Sequence, residues 1–283
     1  MSQKIGPYIC DLLETGAFAL DGGAMFGVVP KTLWQKTNPT DSQNRIAMAL
    51  RVLLIQSRDK KILIDSGIGD KWDEKYQKIY RIDHSRHTLE KALADKNLKT
   101  TDITDVILTH LHFDHAGGTT YKEGETLKLT FPNATHYVQK EQWTWANHPV
   151  EKDRASFLRE NIEPLGKGKL KLLKGPCEIF PGIHILVSHG HTQSQQVVKI
   201  TDGKKTIFYC GDLIPTSSHV PIPYIMSYDN LPLVIMEEKR TILEQAAREN
   251  WILCFEHDPK VPAVTVARDP GKGRFSVKSA VHF

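Results

Sequence analysis

The stretch that decides the fold is LTHLHFDHAGG, residues 108–118, which follows the apolar run DVI. Its six central residues contain three histidines and one aspartate: His110, His112, Asp114 and His115. Four titratable donors this close together would repel one another or stay unpaired if they were buried without a cation, because buried polar groups need partners. The stretch therefore predicts a metal site next to a strand.

The spacing inside this stretch suggests how the donors meet. Alternate residues of a strand share one face, so His110 and His112 should point the same way if the extended conformation continues to Phe113. Asp114 and His115 would then follow where the chain turns. Gly117 and Gly118 leave the backbone free to fold tightly behind them. We expect all four donors to surround one small volume.

Three further apolar runs also end on donors: ILVSHGH, IFYCGD and ILCFEH. They supply His189 or His191, then Asp212, then His257. Functional side chains carried at the ends of rigid elements are a usual site geometry, so we expect these donors to join the 108–118 stretch at one edge of a sheet core. Isolated histidines are more often surface or core residues, and we assign no role to five of them: His84, His136, His148, His219 and His282.

Composition limits the class of protein. The chain has 283 residues, of which 40% are hydrophobic and 25% charged, with a net charge of +4, and this balance predicts a folded globular protein. The basic residues are scattered, so we expect no nucleic-acid partner. Charged residues interrupt the N-terminal stretch, so we expect no membrane segment and a cytoplasmic location. The cysteines at positions 10, 177, 210 and 254 are far apart, which favours reduced, structural thiols.

The order of predicted elements indicates the fold class. Residues 51–57 and 61–65 read as a hairpin, Thr88 as the N-cap of a short amphipathic helix, and residues 105–110 as the next strand. Later strands alternate with few helices. This order predicts a layered α/β protein with mixed sheets rather than a regular eight-fold barrel. No internal repeat or linker marks a boundary, so we expect one domain over residues 1–283.

The ordered series THLHFDH, GHT, a strand-ending GD and a strand-ending EHD resembles the metallo-β-lactamase superfamily of metal-dependent hydrolases. The resemblance covers the chain from the hairpin before Asp65 to His257. It implies an αββα sandwich, in which two mixed β-sheets pack face to face, helices cover the outer faces and the metals lie at one edge.

The resemblance also implies a ligand set. It assigns His110, His112 and His191 to one metal, assigns Asp114, His115 and His257 to a second metal, and makes Asp212 the bridge between them. His191 is preferred to His189 because it holds the histidine of GHT and because the 21 residues from 191 to 212 fit one strand-turn-strand return to Asp212. His189 occupies a place where the family often has proline. Asp65 would orient a ligand histidine, and a plain loop-capping role stays open.

Histidines and carboxylates suit Zn²⁺ as the default ion, and also Mn²⁺, Fe²⁺ or Co²⁺. Two such ions about 4 Å apart would share a water whose pKa falls to about 7, supplying hydroxide for attack on a carbonyl or phosphoryl centre. Asp114 and Asp212 are the predicted catalytic carboxylates. Asp114 could orient the hydroxide or carry a proton toward the leaving group. We therefore predict a dinuclear hydrolase.

The overall pattern is most similar to the N-acyl-homoserine lactonase and methyl parathion hydrolase branch, which implies a small-molecule substrate and allows a homodimer. The lactonases carry a tyrosine three residues after the bridging aspartate, whereas this chain has Pro215. The loop-like stretches around the motifs predict a mostly apolar pocket. Its candidate lining residues are Phe26, Ile214, Tyr224 and Met226.

Three other functions stay open. A thioester hydrolase of the glyoxalase II type would need basic residues near the C-terminus, for which Lys272, Arg274 and Lys278 are candidates. A persulfide dioxygenase would use a single iron, which the full second ligand set disfavours. A non-catalytic, metal-stabilised binding domain would be expected to use a closed four-ligand site.

Overall fold

The strands of this protein fall into two groups along the chain. The computed structural model describes residues 2–283. The first nine strands are β1 (Gln3–Ile5), β2 (Tyr8–Asp21), β3 (Arg45–Gln56), β4 (Lys61–Ile64), β5 (Asp105–Ile107), β6 (Thr120–Glu123), β7 (Thr126–Leu129), β8 (Thr135–Gln139) and β9 (Leu170–Leu173). The next seven are β10 (Cys177–Phe180), β11 (Ile183–Ser188), β12 (Gln195–Thr201), β13 (Thr206–Tyr209), β14 (Ile252–Cys254), β15 (Ala263–Arg268) and β16 (Phe275–Ala280).

Each group forms a seven-stranded sheet. The first sheet has the order β1-β2-β3-β4-β5-β8-β9, and β6 pairs with β7 in a separate hairpin. Its strands are antiparallel from β1 to β4 and parallel from β4 to β9. The second sheet has the order β10-β11-β12-β13-β14-β15-β16, in which only β13 and β14 are parallel neighbours. Both sheets are therefore mixed, as predicted.

In the part of the chain that the structure describes, eight α-helices connect or flank these strands. The long α8 forms the crossover between β13 and β14, as a parallel connection requires. Within residues 2–283, no helix combines the length and the apolar character that crossing a membrane would need. The helices are α1 (Gly22–Phe26), α2 (Lys31–Trp34), α3 (Glu74–Tyr80), α4 (Leu89–Ala94), α5 (Phe113–Ala116), α6 (Lys140–Asn147), α7 (Arg159–Ile162) and α8 (Pro232–Glu249).

The main core lies between the two sheets. Ile55 and Ile64 of the first sheet belong to one buried cluster with Ile185, Val198 and Ile207 of the second. Side chains alternate along a strand, so the other face of each sheet needs a separate cover. Helices provide that cover on both sides, which makes the structure an αββα sandwich. The predicted fold class is confirmed.

Each outer face has its own helical cluster. On the first sheet, Leu89 and Leu93 of α4 pack in one buried cluster with Val52. On the second sheet, Ile235 and Leu243 of α8 pack with strand residues that include Phe208 and Leu253. Burial of such side chains contributes roughly 1.5–3 kcal/mol each relative to exposure. These layers hold the strand ends in fixed positions.

The predicted elements around the site agree with the structure, with one exception. β3 and β4 form the predicted hairpin, although β3 begins earlier, at Arg45. The Thr88 hydroxyl accepts a hydrogen bond from the Lys91 amide at 3.1 Å and caps α4 as predicted. The strand predicted over residues 105–110 is shorter in the structure. β5 ends at Ile107, and Phe113 begins the short helix α5.

Candidate metal centre

The chain leaves β5 through a turn that Asp65 holds in place. Asp65 follows β4 and has a left-handed backbone, with φ of 60°. Its Oδ1 accepts a hydrogen bond from the Thr109 amide at 2.6 Å, and its Oδ2 accepts one from the Thr109 hydroxyl at 2.7 Å. The same hydroxyl lies 3.0 Å from Nδ1 of His110. These two hydrogen bonds hold Thr109 in the turn after the strand, and the turn directs His110 toward the site.

The two glycines after α5 allow a close approach to the loop after β4. A Cβ atom on Gly117 would lie 2.1 Å from the Ile68 carbonyl oxygen, and one on Gly118 would lie 2.1 Å from that of Ser66. Gly117 has an ordinary helical φ of −59°, so backbone freedom is not what this position requires. The sequence interpretation identified the correct residues but gave the wrong reason for Gly117. Here the missing side chain matters because it brings α5 against the loop.

Three ring nitrogens converge in a first group. Nε2 of His110 lies 3.0 Å from Nδ1 of His112, which lies 3.1 Å from Nε2 of His191. All three residues are buried. The candidate ligand atoms lie within 4.8 Å of one another, which is close enough to surround one ion.

A second group lies beside the first. Nε2 of His115 is 3.2 Å from Nε2 of His257, and Oδ2 of Asp114 is 3.6 Å from the same His257 nitrogen. Asp212 lies between the groups. Its Oδ2 is 3.2 Å from Nε2 of His191, and its Oδ1 is 3.3 Å from Nε2 of His257. The structure thus brings all seven predicted donors close together, and His110, His115 and Asp212 form a further close group that links the two.

Other polar groups orient the outward-facing ring nitrogens. Nδ1 of His191 is 2.9 Å from Oδ1 of Asp229, and Nδ1 of His257 is 3.0 Å from the Ala49 carbonyl oxygen. Nδ1 of His115 has two carboxylate neighbours, Asp65 and Glu256. Such partners fix the tautomer of a ligand histidine and increase its basicity. The rings are therefore set to present their inner nitrogens to an ion.

The crowded charges shift the pKa values of the group strongly. Burial favours a neutral His257, but the Asp212 carboxylate outweighs it and raises the pKa of His257 to about 9. Burial and the neighbouring rings hold the pKa of His110 and of His112 well below the ordinary value. Burial would raise the pKa of Asp212, but the adjacent rings hold it well below its usual range. The pKa values of neighbouring histidines are thus shifted in opposite directions. Cations bound between them would favour the neutral form of every ring.

The charges and the free acceptor atoms fit divalent ions. Five carboxylates of the site are buried, and among residues 2–283 none of them pairs with a lysine or an arginine: Asp65, Asp114, Asp212, Asp229 and Glu256. Oδ1 of Asp212 is buried and receives no hydrogen bond within the described chain. Burying an uncompensated carboxylate costs several kcal/mol. Two cations at this place would supply the missing positive charge.

A cavity of about 210 Å³ opens onto these donors. Its wall includes five of them: His112, Asp114, His191, Asp212 and His257. The rest is largely apolar or aromatic, with Leu20, Met25, Met48, Tyr80, Phe113, Met226 and Tyr228. Lys152 also lines the cavity, and its ammonium group donates a hydrogen bond to the Tyr228 carbonyl at 2.7 Å. The site can therefore accept a small, mainly apolar molecule.

Several candidates from the sequence lie elsewhere. Of the four predicted lining residues, only Met226 reaches the cavity wall, whereas Phe26 stacks on Trp34 in a buried cluster. Ile214 packs in the cluster under α8, and Tyr224 packs at the edge of the Phe26 cluster. His189 lies outside both donor groups. The bases at positions 272, 274 and 278 do not line the cavity, which removes the support for a glutathione-type site.

Sequence reasoning missed two acids that contact predicted ligand histidines. Asp229 ends the apolar loop after Asp212, and Glu256 immediately precedes His257. A buried acid next to a ligand was a usable signal for Glu256. Nothing local marked Asp229, which lies 38 residues from His191 and approaches it only through the fold.

Comparison with known proteins supports this description. A family model described as the metallo-beta-lactamase superfamily matches residues 51–257. An N-acyl homoserine lactonase of a Bacillus species is 28% identical over 158 residues, or 56% of each chain. This chain thus spans about half the length of the curated lactonases that it matches. A probable metallo-hydrolase of Mycobacterium bovis is 24% identical over 253 residues, covering 80% of this chain and 76% of its own.

Solved structures give the same result. A probable metal-dependent hydrolase from Staphylococcus aureus superposes with a TM-score of 0.88 at 30% identity, covering 99% of this chain and 100% of its own. A dizinc quorum-quenching lactonase superposes with a TM-score of 0.81 at 22% identity, covering 100% and 98%. The latter similarity shows the fold alone. With the family match over residues 51–257 and the His/Asp cluster at the expected strand ends, the chain belongs to the metallo-beta-lactamase superfamily.

Proposed function

We propose that this protein is a dinuclear metal-dependent hydrolase of a small ester, lactone or related carbonyl or phosphoryl compound. The observation that carries the proposal is the position of Asp212, whose two oxygens face different donor groups. One group would hold the first ion through His110, His112 and His191. The other would hold the second through Asp114, His115 and His257, with Zn²⁺ as the default ion.

Bound divalent ions would acidify a shared water, to a pKa of about 7, and polarise the substrate oxygen. The side chains of the chain do the rest. Asp114 lies at the cavity wall and can accept a proton from the attacking water and deliver it to the leaving group. The apolar wall excludes bulk water, which strengthens the electrostatic interactions inside.

Two phenols extend this proposal to the substrate. Tyr80 and Tyr228 line the cavity with Asp114. Burial and nearby acidic groups raise the pKa of Tyr80, and they raise that of Tyr228 to about 12. Both hydroxyls therefore stay protonated at neutral pH and can donate to a substrate oxygen. They offer an alternative to the tyrosine that the lactonase branch carries at the position of Pro215.

The test is metal analysis combined with a substrate panel. Purified protein should contain about two ions per chain and should hydrolyse at least one lactone, aryl ester, thioester or phosphotriester. A chelator should abolish turnover, and Zn²⁺, Mn²⁺, Co²⁺ or Fe²⁺ should restore it. One iron per chain with oxygen consumption would instead support the persulfide dioxygenase function. Metal binding without turnover on the whole panel would support a binding domain.

A further inference from the structure

One imidazole N–H in the site has two carboxylate acceptors. Nδ1 of His115 lies 2.9 Å from Oε2 of Glu256 and 3.1 Å from Oδ2 of Asp65. All three side chains are fully buried. If Nε2 of His115 binds an ion, Nδ1 carries the only proton that the ring can donate. The two acids therefore compete for one hydrogen bond.

The two acids differ in their other commitments. Asp65 accepts two short hydrogen bonds from Thr109, one to each oxygen, and these define the turn that carries His110. Glu256 accepts one other hydrogen bond, from the Tyr209 hydroxyl at 2.7 Å. Its Oε1 has no partner within the described chain. Glu256 therefore has the greater unused acceptor capacity and the shorter distance to His115.

Glu256 is also joined to the second donor group by the backbone. It directly precedes His257 at the end of β14, so one short segment carries both a ligand of that group and the acceptor for His115. The Ala49 amide donates to the His257 carbonyl at 3.0 Å, and the Tyr209 hydroxyl lies between two acceptors, the Arg51 carbonyl oxygen at 2.8 Å and Oε2 of Glu256 at 2.7 Å. This framework fixes the position of Glu256 relative to both sheets.

We propose that Glu256 is the positioning residue for His115 and that it selectively sets the affinity of the second ion. Asp65 then acts mainly on the turn with Thr109 and His110, and so on the first group. The inference rests on the proposed function, since it requires two ions. It assigns separate roles to two acids that touch the same ring nitrogen.

Glu256→Gln is the principal test, because it keeps the size of the side chain and removes its charge. Charge-assisted hydrogen bonds are roughly twice as strong as neutral ones, and loss of such a partner lowers metal affinity about 10- to 100-fold. Zn²⁺ and Co²⁺ titrations against a chromophoric chelator would give two dissociation constants per chain. We expect the affinity of the second donor group for its ion to fall by that factor in the variant, with the affinity of the first group unchanged.

Asp65→Asn is the matched control. It should lower the affinity for the ion that His110, His112 and His191 would hold. Glu256→Asp is the second variant, in case the glutamine variant does not fold. It keeps the charge but withdraws the oxygen from His115, and the same selective loss is expected. Melting of the metal-free proteins checks that each variant is folded, and Co²⁺ absorption spectra identify the altered site.

The inference would be overturned if Glu256→Gln lowered the affinity for both ions equally. It would also be overturned if no folded Glu256 variant bound the second ion more weakly than the wild type. Failure of the proposed function looks different. In that case the wild-type protein itself would bind fewer than two ions.

Discussion

Oδ1 of Asp212 lies 3.3 Å from Nε2 of His257, while its Oδ2 faces His191 at 3.2 Å. Asp212→Asn removes the charge but not the shape, so ions held by the two donor groups would lose the anion that the proposal places between them. Turnover of any substrate should fall by roughly 100-fold or more, with reduced metal content. Elemental analysis and kcat measure the effect, and Asp202→Asn in the exposed β12–β13 turn is the control. Full activity in the Asp212 variant would contradict the bridging role.

The phenols of the cavity give a second prediction. If Tyr80 or Tyr228 donates to the developing oxyanion, then replacement of that residue by Phe should lower kcat/KM by about 100-fold. Tyr76→Phe is the matched control, since Tyr76 stacks on Tyr80 but does not line the cavity. If both cavity variants kept wild-type kinetics, neither phenol would act on the substrate.

Pro215 gives a third prediction. The residue is buried, lies outside the cavity wall, and accepts a hydrogen bond at its carbonyl from the His257 amide at 3.2 Å. By the lactonase pattern alone, a tyrosine introduced at this position would reach a lactone substrate and raise its hydrolysis. The structure instead predicts that Pro215→Tyr overpacks the loop, costing about 1–3 kcal/mol of stability, with no gain in kcat/KM. Chemical denaturation and lactone kinetics would test both statements.

Gly190 allows the loop before His191 to pack directly on α8. A Cβ atom there would lie 2.5 Å from the Cα of Ile235. Gly190→Ala should displace the loop, destabilise the protein by about 1–3 kcal/mol and weaken metal binding through His191. Gly271→Ala is the control, because an added Cβ there meets only an Asp269 oxygen, at 3.5 Å. Equal melting temperatures for the two variants would show that the close approach of Gly190 to Ile235 does not contribute to stability.

His136 on β8 should make the protein sensitive to acid. Burial lowers its pKa to about 4 from the ordinary value of 6.5, and neither ring nitrogen has a partner in the described chain. Below pH 6.5 His136 is protonated in the unfolded chain, whereas in the native state it becomes protonated only near pH 4. The wild type should therefore lose about 2 kcal/mol between pH 8 and pH 5 through this residue.

His136→Phe removes that contribution. Urea unfolding of the metal-free proteins at both pH values measures the difference, and the comparison at pH 8 isolates any change in packing. Parallel pH curves for variant and wild type would contradict the assignment.

The convergence of the seven donors was predictable because several of them follow apolar runs that the core fixes. His110, Asp212 and His257 carry this signal in the sequence itself, and the family resemblance supplied the grouping. The cavity wall was not predictable, because Tyr80, Lys152 and Tyr228 come from separate loops that meet only through the fold. A single domain over residues 1–283, the cytoplasmic location, the homodimer and zinc as the ion stay predictions.

The donors come from both halves of the sandwich. His110 to His115 follow β5 of the first sheet, whereas His191, Asp212 and His257 follow strands of the second. Ions held between them would act as a cross-link whose strength depends on the free metal concentration, since a ligand bound only by the native state stabilises it by RT ln(1 + [L]/Kd). Thermal resistance of this protein should then report how well a cell is supplied with the metal.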